Sequence, residues 1–328
     1  MLGIDVSKAT LSTTLLDQTD GRVQWALEVP NTPAGVQTLL ERAPDHSAWV
    51  LEPTGSYSTA VARQARDAGR TVLLAPPRRA KAFLTSLHPR AKTDRLDSVG
   101  LARSARAVPL RPYPLKAEPT AQIDQLLAAR KGLSHSRTRL HQQCKALPAA
   151  KEALAGAVAD LDARVRALDA EIARLRAAAL PTARLLLTVP GIGPVTATAM
   201  ASVLTSKTFT HSDQLVAYLG LDIRVHESGT RHGRGVLSKQ GDAELRRLLY
   251  LCAQSTLRAR KGDNPFAHQY AREQEKGMST TAALNAVARK LARTCWSLHR
   301  YHSPYDPARV NHQRPSGLKA PPPLDAEP

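Results

Sequence analysis

Cysteine is scarce in this sequence: Cys144, Cys252 and Cys295 are the three among 328 residues, and they lie far apart. Such spacing builds neither a disulfide framework nor a zinc site, and it fits a reducing, cytoplasmic setting. Aromatic residues make up 4 %. That is too few for a protein gripping single strands mainly by stacking bases on aromatic platforms. No apolar run approaches the ~18 residues of a membrane-spanning helix, so no membrane partner is expected. The first residues, Met1-Leu-Gly-Ile-Asp5-Val-Ser-Lys8, place an acid inside an apolar run, unlike a secretory leader. Acids are also in short supply: 28 Asp and Glu stand against 46 Lys and Arg, a net charge of +18.

What is present points to a folded protein with a polyanionic partner. Apolar residues reach 42 %, enough for a sizeable core. The length suits two domains, or three pieces. Basic residues exceed acidic ones in every segment up to residue 300, most strongly beyond residue 180, while residues 301–328 balance. A surface of this sign attracts nucleic acid and gains by releasing condensed counterions. The competing reading is a solvated basic face with no partner.

The first 110 residues alternate strand and helix patterns. Leu2–Val6, Leu11–Leu16 and Val23–Val29 read as strands, the last two joined by the turn residues Asp17-Gln-Thr-Asp-Gly21. Asn31 or Thr32 can cap a helix with Pro33 in its first turn. Further strands are expected at Trp49–Leu51 and Thr71–Leu74, with helices at Ser58–Ala68, Arg79–Leu87 and Asp94–Ala107. This order predicts an α/β domain with a mixed sheet and helices on its faces. In the middle, Leu154, Val158, Leu161, Val165, Leu168, Ile172 and Leu175 recur at alternating spacings of four and three, a heptad stripe. Ile123–Leu147 is helical before it. An antiparallel hairpin within one chain and a coiled coil between chains both fit. From Pro181 the pattern is helical and loop-rich, and a tail with Pro321-Pro322-Pro323, from Ser303, reads as disordered.

Three groups of residues carry chemistry. Asp5 sits in the apolar first strand, Glu52 closes the fourth, and Asp94 and Asp97 lie three apart at a helix start. A charge inside a strand is costly unless it is paired or binds a metal. Carboxylates brought together need a counter-cation, and Mg²⁺ suits oxygen ligands and phosphate. Asp97 pairing with Arg95 or Lys92, and Asp94 capping its helix, are the plainer readings. Together these acids resemble an RNase H-like (RuvC-like) nucleotidyl-transfer core. Second, Pro190-Gly191-Ile-Gly193-Pro194 between helical patterns resembles a helix-hairpin-helix motif, in which glycines let backbone amides approach phosphate. A tight turn between packed helices needs the same glycines. Third, the basic, glycine-rich stretch 224–247 holds Ser238, with Arg231, Arg234 and Lys239 supplying charge for nucleic acid and His226 and His232 available as proton acceptors. A serine attacks phosphorus only if its alkoxide and the pentacoordinate phosphate are stabilised. Capping the helix near Asp242 or binding phosphate is the plainer role for Ser238, and Ser228 is a rival nucleophile.

Taken in order, Gly3-Ile-Asp5-Val-Ser-Lys8, Glu52-Pro-Thr-Gly55-Ser-Tyr57, Lys92-Thr-Asp94-Arg-Leu-Asp97, Pro190-Gly-Ile-Gly193 and Ser238-Lys-Gln-Gly241 resemble the DEDD-type insertion-sequence transposases, RuvC-like recombinases guided by a bridge RNA. The resemblance spans about residues 2 to 305. It implies a RuvC-like DEDD domain over 1–115, a coiled-coil linker over 120–180, a C-terminal transposase domain over 181–302 and a disordered tail over 303–328. It implies that Asp5, Glu52, Asp94 and Asp97 bind Mg²⁺ and that Ser238 forms a phosphoserine link to DNA. It further implies a nucleoid-associated homo-oligomer, a dimer or tetramer, whose composite active site joins one subunit's acids to another's serine. A noncoding bridge RNA would then pair with donor and target DNA, leaving the protein mostly backbone contacts. Ser98 and Gly100 depart from the family's small, alanine-like residues after Asp97. Two other readings remain: a Mg²⁺-dependent structure-specific nuclease with water as nucleophile, and a non-catalytic nucleic-acid-binding protein.

Overall fold

The computed structural model describes residues 1–17, 19–75, 94–107, 109–224, 227–228, 231–232, 235–258 and 264–311; at residues 56, 94–96, 227–228, 231–232 and 311 this extends to the backbone alone. The chain forms two compact units, Met1–Leu115 and Lys116–Pro328. Among the described residues, no helix is long and apolar enough to cross a membrane.

In the first unit, β1 (Leu2–Val6), β2 (Thr10–Leu16) and β3 (Val23–Pro30) form the expected meander. Asp17 turns the chain between β2 and β3 by accepting the Thr19 N–H at 2.7 Å, and Gly21 follows with φ of +74°. Helix α1 (Pro33–Arg42) begins at Thr32, whose hydroxyl accepts the Gly35 N–H. Then come β4 (Trp49–Leu51), α2 (Ser56–Asp67), β5 (Val72–Leu74), α3 (Asp94–Ala107) and β6 (Arg111–Pro112). The expected helix at 79–87 lies outside the described residues. The sheet order is β3-β2-β1-β4-β5-β6. β4 runs parallel to β1 and β5, and the other pairs are antiparallel. Both faces are covered. Leu2, Ile4, Leu11, Leu15, Trp49 and Leu51 share one core, and Val50 packs with Leu101 and Ala75 on the opposite face. That is the period-two alternation of a sheet buried on both sides.

The second unit opens with α4 (Glu118–Ala146) and α5 (Lys151–Ala179), each 29 residues, joined by a 3₁₀ turn over Pro148–Ala150. The two helices pack on each other within the chain. The pairs Arg130–Asp169 and Arg137–Asp162 run in opposite directions along the two helices, so the hairpin is antiparallel. Val158, Val165 and Ile172 are buried, and the other four stripe residues are half-buried. The rest is α6 (Thr182–Leu186), α7 (Pro194–Ser206), α8 (Ser212–Tyr218), two short ribbons, α9 (Ala243–Arg258), α10 (Pro265–Glu275), α11 (Thr280–Tyr301) and α12 (Pro307–Asn311). The ribbons pair β7 (Ile223–Arg224) with β10 (Val236–Leu237) and β8 (Glu227–Ser228) with β9 (Arg231–His232). One apolar core, including Leu186, Met200, Leu249, Val287 and Leu291, joins the helices.

The tail expected from Ser303 does not begin there. Tyr305 stacks on Phe266 with ring centroids 6.0 Å apart, and its N–H donates to the Thr188 hydroxyl at 2.9 Å. Residues 303–311 therefore belong to the packed unit; residues 312–328 lie outside the described residues.

Candidate functional site

The sheet register carries Asp5 and Glu52 to one face of the sheet. Gly3 pairs with Val50 across the parallel β1–β4 ladder, and Ile4 with Leu51. One residue further on, Asp5 and Glu52 stand at the C-terminal ends of neighbouring strands. Period-two alternation puts Asp5 on the face of Gly3, and Glu52 on the face of Val50. That face is covered by α3: a Cβ on Gly3 would lie 2.1 Å from the Ser98 carbonyl oxygen and 2.6 Å from the Ala102 nitrogen. Glycine at position 3 is thus what lets the helix lie against β1. Leu101, which packs on Val50, sits one turn after Asp97, so Asp97 lies on the sheet-facing side of α3.

Ser98, one of the departures from the family pattern, is fully buried, and its hydroxyl shares a 2.8 Å hydrogen bond with that of Thr14 on β2. The loop after Glu52 is fixed by a 2.9 Å bond from the Thr54 N–H to the Ser58 hydroxyl and by Gly55, with φ of +77°. Asp5, Glu52 and Asp97 are all half-buried, and the Asp94 side chain lies outside the described residues. Among the described residues no three His, Cys, Asp or Glu side chains close into a metal-holding group. The Asp5, Glu52 and Asp97 carboxylates are hard oxygen donors of the kind that suits Mg²⁺.

In the second unit the two glycines of the Pro190–Pro194 turn differ. Gly191 has φ of +84°, and a Cβ there would lie 2.7 Å from the Thr256 nitrogen and 2.8 Å from the Cys252 carbonyl oxygen. The Thr256 hydroxyl donates to the Pro190 carbonyl. Gly191 is therefore required by packing against α9. Gly193, at the exposed N-terminus of α7, has nothing within 4 Å of a Cβ position. Of the two, only Gly193 is free to meet a ligand.

Ser238 follows β10 in a loop pressed onto the turn that follows α8. Its N–H donates to the Asp222 carbonyl at 2.9 Å, the Lys239 N–H to the Gly220 carbonyl at 3.2 Å, and the Asp242 N–H to the Tyr218 carbonyl at 3.2 Å. Gly220 and Gly241 touch backbone to backbone: a Cβ on Gly241 would lie 2.5 Å from the Gly220 nitrogen. The Arg246 guanidinium closes the turn on the Leu219 carbonyl at 2.9 Å. Lys239, exposed, adopts φ of +51°, a left-handed conformation that costs a non-glycine residue about 1 kcal/mol.

Ser238 is not the cap of α9. Asp242 is, accepting the Glu244 and Leu245 N–H groups at 3.0 and 2.9 Å. The Ser238 hydroxyl instead donates to the Asp222 carboxylate. Asp222 was not singled out in the sequence, where Gly220-Leu-Asp222 shows no recognisable catalytic spacing to Ser238. Arg234 and His226 lie outside the described residues, as do the side chains of Ser228, Arg231 and His232.

Two transposase family profiles match the chain. The family profile DEDD_Tnp_IS110, described as a transposase, matches residues 2–147, which include Asp5, Glu52, Asp94 and Asp97. The profile Transposase_20, of the transposase IS116/IS110/IS902 family, matches residues 183–271, which include Gly191, Gly193 and Ser238. The chain is thus a transposase, an enzyme that acts on DNA by strand transfer. It belongs to the IS110 family.

Among its relatives, a probable family 20 transposase of Pseudomonas aeruginosa is 29 % identical over 283 residues, 75 % of this chain and 82 % of that one. The transposase for insertion sequence element IS1328 of Yersinia enterocolitica is 34 % identical over 116 residues, 35 % of each chain. The pilin gene-inverting protein of Moraxella lacunata is 28 % identical over 272 residues, 78 % of this chain and 81 % of that one. The solved structure of Thermus thermophilus RuvC aligns over 34 % of this chain and all of its own, at 17 % identity and a TM-score of 0.27.

Proposed function

We propose that this transposase cuts and rejoins DNA through a phosphoserine intermediate formed by Ser238, guided by a noncoding bridge RNA and working as a homo-oligomer. The observation that carries the serine reading is its hydroxyl. Asp242 has taken the capping role, and Ser238, half-buried in a basic segment, donates to a carboxylate instead. A serine so held can attack a phosphodiester, and the resulting ester keeps the bond energy for religation to a new strand.

Asp5, Glu52, Asp94 and Asp97 are the residues that would hold Mg²⁺, in an RNase H-like (RuvC-like) domain. Bound there, the ion would supply charge to neutralise a phosphoryl oxygen as the bond changes. Gly193 with the N-terminal amides of α7, together with Arg231, Arg234 and Lys239, supports DNA backbone binding. The scarcity of aromatics and the +18 charge suit a protein that leaves sequence choice to base pairing.

The test is a denaturing gel of the full chain incubated with end-labelled DNA carrying the element's ends and with its adjacent transcript. A covalent protein–DNA band lost in Ser238→Ala is the expected result. Cutting that persists in Ser238→Ala without an adduct would instead mark a nuclease using water. Omitting the transcript should abolish site choice if RNA guides it.

A further inference from the structure

We propose that Asp222 is the proton acceptor that activates the Ser238 hydroxyl for attack on phosphorus. This rests on Ser238 being the nucleophile. A serine hydroxyl has one proton to donate and two lone pairs. Here the proton points at Asp222 Oδ1, and one lone pair accepts the Gln240 N–H at 3.3 Å. One lone pair is left, oriented by the other two contacts and, among the described residues, unused.

The backbone makes this arrangement stiff. Ser238 and Asp222 are already tied through the main chain at 2.9 Å, flanked by the bond from Lys239 to Gly220. The loop does not need the hydroxyl–carboxylate bond to keep its shape, because backbone bonds and the Gly220–Gly241 contact hold it. Nor can Lys239 relax easily from φ of +51° without moving Ser238. Strain held next to a reactive group is common where geometry is being fixed for chemistry.

The surroundings supply a positive counterweight. Arg289 on α11 is half-buried, and among the described residues its Nε has no hydrogen-bond partner. Burial and Arg293 weaken its hold on its proton, while Glu273 and Asp222 strengthen it, so its charge and that of Asp222 act on each other.

The step balances. The Ser238 O–H bond breaks and its proton passes to Asp222 Oδ1 as the Oγ–P bond forms. The P–O bond to the departing deoxyribose breaks, and that oxygen leaves with the bonding pair and takes a proton from water. Asp222 then releases its proton to solvent. In rejoining, the incoming deoxyribose hydroxyl gives its proton to water as its oxygen bonds to phosphorus, the Oγ–P bond breaks with its electron pair on Oγ, and Asp222, protonated again from water, returns a proton to Oγ.

The test measures the rate of the covalent adduct with the full chain, its transcript and labelled DNA, in single-turnover conditions. Asp222→Asn keeps the shape and an acceptor for the serine but not the base. It should slow the adduct about 10²- to 10⁴-fold, with DNA affinity and melting temperature unchanged. In a Ser238→Cys background at pH 9, where a thiol of ordinary pKa is largely ionised unaided, Asp222→Asn should change the rate less than about threefold. A rate within threefold of wild type for Asp222→Asn alone overturns the proposal, and so does an equal loss in the serine and cysteine backgrounds. If Ser238→Cys gives no adduct, Asp222→Glu decides. Recovery to at least tenfold above Asp222→Asn supports a carboxylate base, and no recovery overturns it. Adduct formation by Ser238→Ala would overturn the nucleophile reading itself, a result separable from all of these.

Discussion

Arg130 and Asp169 form a two-pronged pair across the α4–α5 hairpin, through Nε and through Nη2, the latter at 3.0 Å. Arg130 sits where the apolar stripe would place a leucine: Ile123, Leu126, Arg130, Leu133, Arg137, Leu140 and Cys144 alternate three and four apart on α4. Arg137 repeats the arrangement with Asp162 at 2.9 Å. Polar residues inside a seam lower stability but fix register. The hairpin is thus keyed at two points seven residues apart.

Replacing both arginines with leucine, together with Asp162→Ala and Asp169→Ala, should preserve or raise the melting temperature. The same variant should lose a unique register, seen as broadened methyl resonances or added self-association in light scattering. Leu161→Glu with Leu168→Glu should lower the melting temperature of the hairpin at unchanged mass, because its stripe faces α4 of the same chain. A drop in mass would show that the stripe joins chains instead.

Two glycines on regular elements should respond with opposite signs. Gly3→Ala drives a methyl group into the Ser98 carbonyl 2.1 Å away, and should cost about 2–4 kcal/mol, since strand and helix must separate. Gly132 is inside α4 with nothing within 4 Å of a Cβ, so Gly132→Ala should stabilise by about 0.5–1 kcal/mol. Urea unfolding of the two variants checks the pair.

The Pro190–Pro194 turn offers a similar contrast with a functional readout. Gly191→Ala should lower the melting temperature, because its φ of +84° and the nearby Thr256 nitrogen both exclude a side chain. Gly193→Ala should leave stability nearly unchanged. If phosphate lies against α7, Gly193→Ala should weaken DNA binding several-fold at low salt; unchanged affinity would remove Gly193 from the interface.

Glu244 gives the helical unit a defined acid response. Hydrogen bonds from Arg247, and then from Lys131 on α4, hold its carboxyl down at about 2, against an ordinary 4.5. A carboxylate with a depressed folded pKa stabilises fully above its unfolded value and loses that contribution as pH falls through the folded one. The loss therefore falls between about pH 4.5 and 2. Glu244→Gln should flatten the melting temperature over that window and lower it modestly at pH 7, less so in high salt, because the group is partly exposed and screened.

The α/β opening was legible from alternation and turn residues, because strand periodicity and the Asp17 turn are local. Trp49–Leu51 and Asp94–Ala107 lie where their patterns put them. The short ribbons β7–β10 were not legible, since two-residue strands carry no period. Nor was Tyr305, whose partners Phe266 and Thr188 are remote in sequence.

The sequence by itself determined the elements, the charge and which residue types were available for chemistry, because helix and strand periods and turn preferences act over a few neighbouring residues. Only the tertiary structure decided which neighbour each group meets. It set Asp5 beside Glu52 through the β1–β4 register, gave Gly191 to packing and left Gly193 open. It also turned the Ser238 hydroxyl to Asp222 rather than to the helix that follows. Those pairings come from long-range backbone contacts, and no local pattern encodes them.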